Sequence, residues 1–127
     1  MDKKKILVVD DEANIRELLI VNLAAAGYEV ETALNGRDAI GKIVSFRPAL
    51  IVLDVMMPEI DGWEVCKLVR DDESLEHLRI VMLTAKATDR DRMIGRGIFG
   101  ADEYITKPFD MDELLSTIKR LLAENEN

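Results

Sequence analysis

The sequence predicts an α/β fold, a single doubly wound (βα)5 domain built on a five-stranded parallel sheet. Three observations predict it. Apolar runs at 6–9, 49–53 and 80–83 are continuous, which suits strands covered on both faces. Apolar residues recur mostly at helical spacing between the runs, so strands alternate with helices and the sheet is layered. The runs also stop on polar residues: Asp10, Asp11 and Glu12 after the first, Asp54 after the second, Thr84 after the third. In an open α/β sheet that carboxyl edge is where ligands bind.

Taken in order, residues 6–9 form the first strand. Ile15, Leu18, Leu19, Val21, Leu23 and Ala26 mark the first helix, closed by Gly27, which tolerates positive φ. Residues 28–33 read as strand two. Asn35 caps a second helix with Ala39, Ile40, Ile43 and Val44 on one face, and Pro48 stops it. Strand three, 49–53, ends at Asp54, and the chain turns at Pro58 and Gly62. A third helix carries Val65, Cys66, Leu68 and Val69. Residues 71–79 are a polar loop, and strand four follows at 80–83. Met93, Ile94 and Ile98 mark a fourth helix. Its Gly95 and Gly97 each cost roughly 1 kcal/mol relative to Ala, so it is expected to be the least rigid. Gly100 ends it, and Tyr104 with Ile105 marks strand five. Asp110 and Glu113 have capping-box spacing before a last helix with Leu114, Leu115, Ile118, Leu121 and Leu122 inward. A common order for five such strands is 2-1-3-4-5, with the crevice between strands one and three.

The 127 residues suit one domain, 1–127, with a core at about 4–122 and a polar tail at 123–127. Hydrophobic residues at 48% and charged residues at 33% exclude a disordered or membranous chain. No apolar run approaches the roughly 20 residues of a spanning helix. The N-terminus is too short in apolar residues for a signal peptide, so a cytoplasmic location is expected. One cysteine excludes an internal disulfide and a cysteine-based zinc cluster. A net charge of −8 argues against direct nucleic-acid binding by this domain alone.

Three carboxylates at one strand edge repel and raise one another's pKa unless a cation enters. Mg2+ prefers oxygen ligands and takes few carboxylates together with a phosphate. Thr84 and Lys107 leave strands four and five at the same edge. A hydroxyl and an ammonium there suit phosphoryl oxygens, and Asp54 is the candidate nucleophile, forming an aspartyl phosphate.

Here the chain resembles the receiver domains of two-component response regulators, the CheY-like family, over essentially residues 4–122. The residues that carry the likeness are Val9-Asp10-Asp11-Glu12, Leu53-Asp54 with Pro58 and Asp61-Gly62, Leu83-Thr84-Ala85, Gly100-Ala101-Asp102 and Lys107-Pro108-Phe109. The resemblance implies a flavodoxin-like fold in which Asp54 accepts a phosphoryl group from a histidine kinase or histidine phosphotransfer protein. It implies that Asp10, Asp11, Asp54 and the backbone carbonyl of Met56 hold Mg2+. Thr84 and Lys107 would hold the phosphoryl oxygens, with a cis Lys107–Pro108 bond. Tyr104 would turn inward as Thr84 moves, passing the state of Asp54 to the face of helix four, strand five and the last helix, and so to a downstream protein effector. Met56 and Lys86 stand where residues tune phosphoryl lifetime; apolar Met56 cannot orient water, so a long-lived phosphorylated state is expected. Arg92 and Glu113 fit a dimer ion pair of such domains, but Thr117 replaces a basic residue, so a monomer or a weak phosphorylation-dependent dimer is expected.

Plainer roles exist for each residue alone. An acidic pair is usually a solvated loop, Thr84 can merely end a strand, Lys107 can be any surface lysine, and Tyr104 and Trp63 can be packing aromatics. Glu12 suits a helix-dipole partner more than a ligand. Met56 and Met57 suit loop packing, Cys66 a buried filler, His77 a surface site and Lys3, Lys4 and Lys5 a solvated edge. Two rival functions remain: a Mg2+-dependent phosphatase with an aspartyl nucleophile, and a degenerate receiver serving only as scaffold. A flavin carrier is excluded, because Asp10, Asp11 and Glu12 would repel its phosphate. The expected activity is that of a phosphoacceptor switch rather than a turnover enzyme.

Overall fold

A computed structural model describes residues 3–84 and 100–124. Strands β1 (Lys5–Val9), β2 (Glu29–Ala33), β3 (Leu50–Asp54), β4 (Arg79–Thr84) and β5 (Glu103–Thr106) form one sheet in the order β2-β1-β3-β4-β5. Every neighbouring pair is parallel. Helices α1 (Ala13–Ala25), α2 (Gly36–Phe46) and α3 (Gly62–Arg70) follow the first three strands, and a C-terminal helix (Met111–Glu124) follows the last. The fold is the doubly wound, flavodoxin-like one, in the anticipated strand order. The fourth helix expected from Met93, Ile94 and Ile98, and the sites Lys86 and Arg92, lie outside the described residues.

Alternation along each strand sends neighbouring side chains to opposite faces. Leu7, Val9, Ile51, Leu53, Ile80 and Met82 pack beneath α2 and α3. Ile6, Val8, Leu50, Val52, Val81 and Leu83 pack against Leu19 and Leu23 of α1 and Leu114 and Ile118 of the C-terminal helix. Both faces being covered, the inner strands β1, β3 and β4 read as unbroken apolar runs. The caps hold where the sequence signalled them: Asn35 accepts from the Asp38 N–H at 2.9 Å, and Asp110 from the Asp112 and Glu113 N–H groups at 2.8 and 3.3 Å. Gly27 has φ of 99°. The second helix closes one residue before Pro48, on Arg47 in the left-handed region. The polar loop contains a short 3-10 turn (Glu73–Leu75), and its last residue, Arg79, already belongs to β4.

Four of the apolar residues that mark these helices in the sequence do not face the core. Leu18 and Val21 of α1, Val44 of α2 and Leu68 of α3 are exposed at 47%, 67%, 71% and 52%. Each helix meets the sheet along one stripe, which on α1 is Leu19 and Leu23, four residues apart. Leu18 and Val21 share a second stripe, three apart, that faces outward.

Two ionic features frame the sheet. At its amino edge Lys3, Lys4, Lys5, Arg47 and His77 surround a cleft with Pro48 and Ala49. Lys5 is more than a solvated edge residue: its Nζ donates to the Phe46 carbonyl at 3.3 Å and lies 5.3 Å from that ring's centre. Asp102, just before β5, accepts from Arg70 at 2.8 Å, Arg79 at 2.9 Å and the Ile80 N–H at 2.8 Å. It thereby ties the end of α3 to the starts of β4 and β5.

Candidate functional site

The strand ends bring the expected side chains to one edge. β1 and β3 are adjacent, so Asp10 and Asp54 leave the sheet side by side, and both are buried. Thr84, also buried, ends β4 opposite Thr106 of β5. The Lys107 N–H donates to the Thr84 carbonyl at 2.6 Å, so the two strand ends are fastened where Lys107 begins its reach. The Lys107–Pro108 bond is cis.

Lys107 organises the charges. Its Nζ donates to Asp10 Oδ2 at 2.8 Å and lies 3.6 Å from Asp54 Oδ1 and 3.5 Å from Glu12 Oε1. Burial pulls its ammonium toward neutrality, but the hydrogen bond and charge of Asp10, with Asp54 and Glu12 behind them, outweigh that and hold its pKa above the usual lysine value. Asp54 fares differently. Desolvation and the neighbouring charge of Asp10 exceed what Lys107 and the Met56 N–H return, and its carboxyl is pushed up to about 6. One ammonium shared among three carboxylates leaves Asp54 under-neutralised.

Asp54 Oδ1 accepts from the Met56 N–H at 3.2 Å. Among the described residues Oδ2 takes no hydrogen bond, which leaves it as the oxygen open to a ligand. Asp10 is held on both sides: its Oδ1 accepts from the Glu12 N–H at 2.9 Å and its carbonyl from Arg16 at 2.7 Å. Gly62 fixes the other wall. A Cβ there would lie 2.2 Å from the Asp54 carbonyl oxygen, so only glycine lets α3 start so close to the strand end.

The donors fit a hard divalent cation. Asp10, Asp11 and Glu12 each offer a carboxylate oxygen within 4.8 Å of the others, an all-oxygen set beside an under-neutralised Asp54. Glu12 is the member that sequence reasoning set aside. It is the N-cap of α1, without a capping side-chain bond, and it reaches Lys107 instead. Arg16 was missed as well; nothing in its spacing singles it out. Met57 packs in the core as expected, whereas Met56 is 71% exposed. Cys66 is buried and its thiol is pushed up to about 12 by that burial. His77 is exposed.

A parallel sheet with this acid-and-lysine edge defines a class. The family described as the response regulator receiver domain matches residues 6–119, and the chain belongs to that family, a component of two-component systems. It is 47% identical over 123 residues to the alkaline phosphatase synthesis transcriptional regulatory protein PhoP of Bacillus subtilis, covering 97% of this chain and 50% of that one. It is 39% identical to the DNA-binding dual master transcriptional regulator RpaA of Synechocystis, over 96% of this chain and 50% of that one. The chain thus spans about half the length of these relatives. Among solved structures, the response regulator TrrA of Thermotoga maritima in complex with Mg(2+)-BeF matches with a TM-score of 0.82 and 43% identity, covering 93% and 98% of the two chains. A CheY-like receiver domain protein of Methanospirillum hungatei matches with a TM-score of 0.91 and 30% identity, covering 98% of each.

The expectation of no nucleic-acid partner concerned these 127 residues alone and finds no support in relatives that are transcriptional regulators. No helix among the described residues is long and apolar enough to cross a membrane.

Proposed function

We propose that the chain is a phosphoacceptor switch, in which Asp54 takes a phosphoryl group from a phosphohistidine of a kinase or phosphotransfer protein and relays its state to a protein effector. The observation that carries the proposal is the partly buried Lys107 ammonium joined at once to the buried carboxylates of Asp10 and Asp54. The free Oδ2 of Asp54 attacks phosphorus as the phosphorus–nitrogen bond breaks, and the leaving imidazole keeps the electron pair and takes up a proton. Lys107 and the Thr84 hydroxyl hold the phosphoryl oxygens, while the Met56 N–H keeps Oδ1 aimed away. Asp10, Asp11, Asp54 and the Met56 carbonyl would hold Mg2+, which when bound offsets charge on the phosphoryl oxygens. The similarity to TrrA, solved with Mg(2+)-BeF, supports that assignment. On this reading the chain is a phosphoacceptor switch, with self-catalysed phosphotransfer and slow autodephosphorylation as its chemistry.

The exposed stripe of Leu18 and Val21 on α1 lies beyond the Asp10 loop, where a phosphodonor helix can seat its apolar face. Tyr104, 6% exposed, and Thr84 form the switch pair. The decisive experiment is incubation with acetyl phosphate and MgCl2 followed by intact-mass measurement. Wild type should gain a phosphate-sized mass and Asp54→Asn should not. A gain that persists in Asp54→Asn would remove Asp54 from its role.

A further inference from the structure

Trp63 and Tyr104 make a contact that neither the acid site nor its expected relay employs. Tyr104 lies in β5 opposite Met82, and it is 6% exposed. Trp63 is the second residue of α3 and packs half-buried against the same core layer. Their ring centres are 6.1 Å apart with planes 25° from parallel, an offset stack within the favourable range. The backbone beside Trp63 is anchored to the end of β3. The Gly62 N–H donates to the Val55 carbonyl at 3.0 Å, and a Cβ on Gly62 would strike the Asp54 carbonyl. One residue therefore separates the exit of the phosphoacceptor strand from the ring that faces Tyr104.

We infer that Trp63 is a positioning residue of the switch: its indole is the inner wall on which Tyr104 stacks, holding that ring inward and linking it to the Asp54 loop through Gly62. It rests on the assignment of Tyr104 as a two-state residue made above. The path runs through the start of α3 and is separate from the Thr84 hydroxyl. A ring that already has an aromatic partner is inward before any phosphoryl group arrives. Phosphorylation then has only the remaining outward population to draw in, since a ligand shifts an equilibrium only by its differential interaction with the two states.

The chain has one tryptophan and two tyrosines, so tryptophan emission reports Trp63 alone and the Tyr104 signal has only that of Tyr28 to be told from. Ring-labelled tyrosine, assigned with Tyr104→Phe, would be followed by NMR with a soluble paramagnetic probe, which reports exposure independently of the indole's ring current. In resting protein, Trp63→Leu should lower the inward-to-outward ratio of Tyr104 on the order of 2- to 10-fold, and Trp63→Phe should restore most of it. Trp63→Met serves if the leucine variant fails to fold. Folded Leu and Met variants with Tyr104 as protected as in wild type would overturn the inference, as would a phenylalanine variant no better than leucine. In wild type, acetyl phosphate should change Trp63 emission in step with the mass gain; mass gain with constant emission would also overturn it. Absence of a mass gain is a failure of the phosphoacceptor assignment, and the resting comparison still decides the role of Trp63.

Discussion

A carboxylate that is 3% exposed and 3.6 Å from a lysine already committed to a nearer partner gives up more on burial than it recovers. For Asp54 the carboxyl rises from 3.8 to about 6, equivalent to roughly 2–3 kcal/mol held against the ionised form. Because the folded pKa lies above the unfolded one, folded protein binds more protons between those values. The penalty is therefore absent below about pH 4, grows as pH rises, and is complete above about pH 6. Asp54→Asn should accordingly be more stable than wild type by roughly 1–3 kcal/mol at pH 7.5 in EDTA, with the gap closing toward pH 4, in urea titrations at each pH. Glycines give a matched pair of opposite sign. Gly41, inside α2, has nothing within 4 Å of an added Cβ, so Gly41→Ala should gain about 0.5–1 kcal/mol. Gly62→Ala must move the Asp54 carbonyl and should lose about 1–3 kcal/mol in the same assay.

At the scale of elements, Asp102 joins α3, β4 and β5 through two guanidinium groups and one backbone N–H. Asp102→Ala strips the shared anion from two partly buried arginines, and a loss of about 2–4 kcal/mol is expected in thermal or urea unfolding. The outward stripe of α1 should behave oppositely. Val21→Lys, at a site 67% exposed, should change stability by less than about 0.5 kcal/mol. It should slow phosphotransfer from a histidine kinase severalfold while leaving acetyl phosphate labelling unchanged. The sequence disclosed which segments are strands and where helices start, because continuous apolar runs and cap residues are local signals. It disclosed Asp10, Asp54, Thr84 and Lys107 because each ends a strand or directly follows one. It did not disclose which apolar helix residues face outward: α1 is apolar nearly all round, so periodicity could not tell Leu18 from Leu19. Nor did it disclose Glu12 at Lys107 or Arg16 at the Asp10 carbonyl, since both depend on how a turn swings side chains in space. The Asp102 clamp was visible only as a motif, its two arginines lying 32 and 23 residues away.

Over the whole molecule, a cation that binds the folded acid cluster and not the unfolded chain adds stability as the logarithm of one plus the ratio of its free concentration to Kd, about 2.7 kcal/mol at a hundredfold excess over Kd. MgCl2 should therefore raise Tm by several degrees over EDTA, and Asp11→Ala, at an exposed position, should lose most of that gain with little change in EDTA. Equal gains in the two proteins would mean that the ion binds elsewhere.

The lysines and arginine around the amino-edge cleft stand at the far end of the sheet from the aspartates. Among the described residues, those two ends therefore carry local charge of opposite sign. An approaching partner would feel a torque before it feels a surface, and collisions would be biased toward presenting one end of the molecule. Added salt would blunt that alignment well before it loosened any bond within the protein.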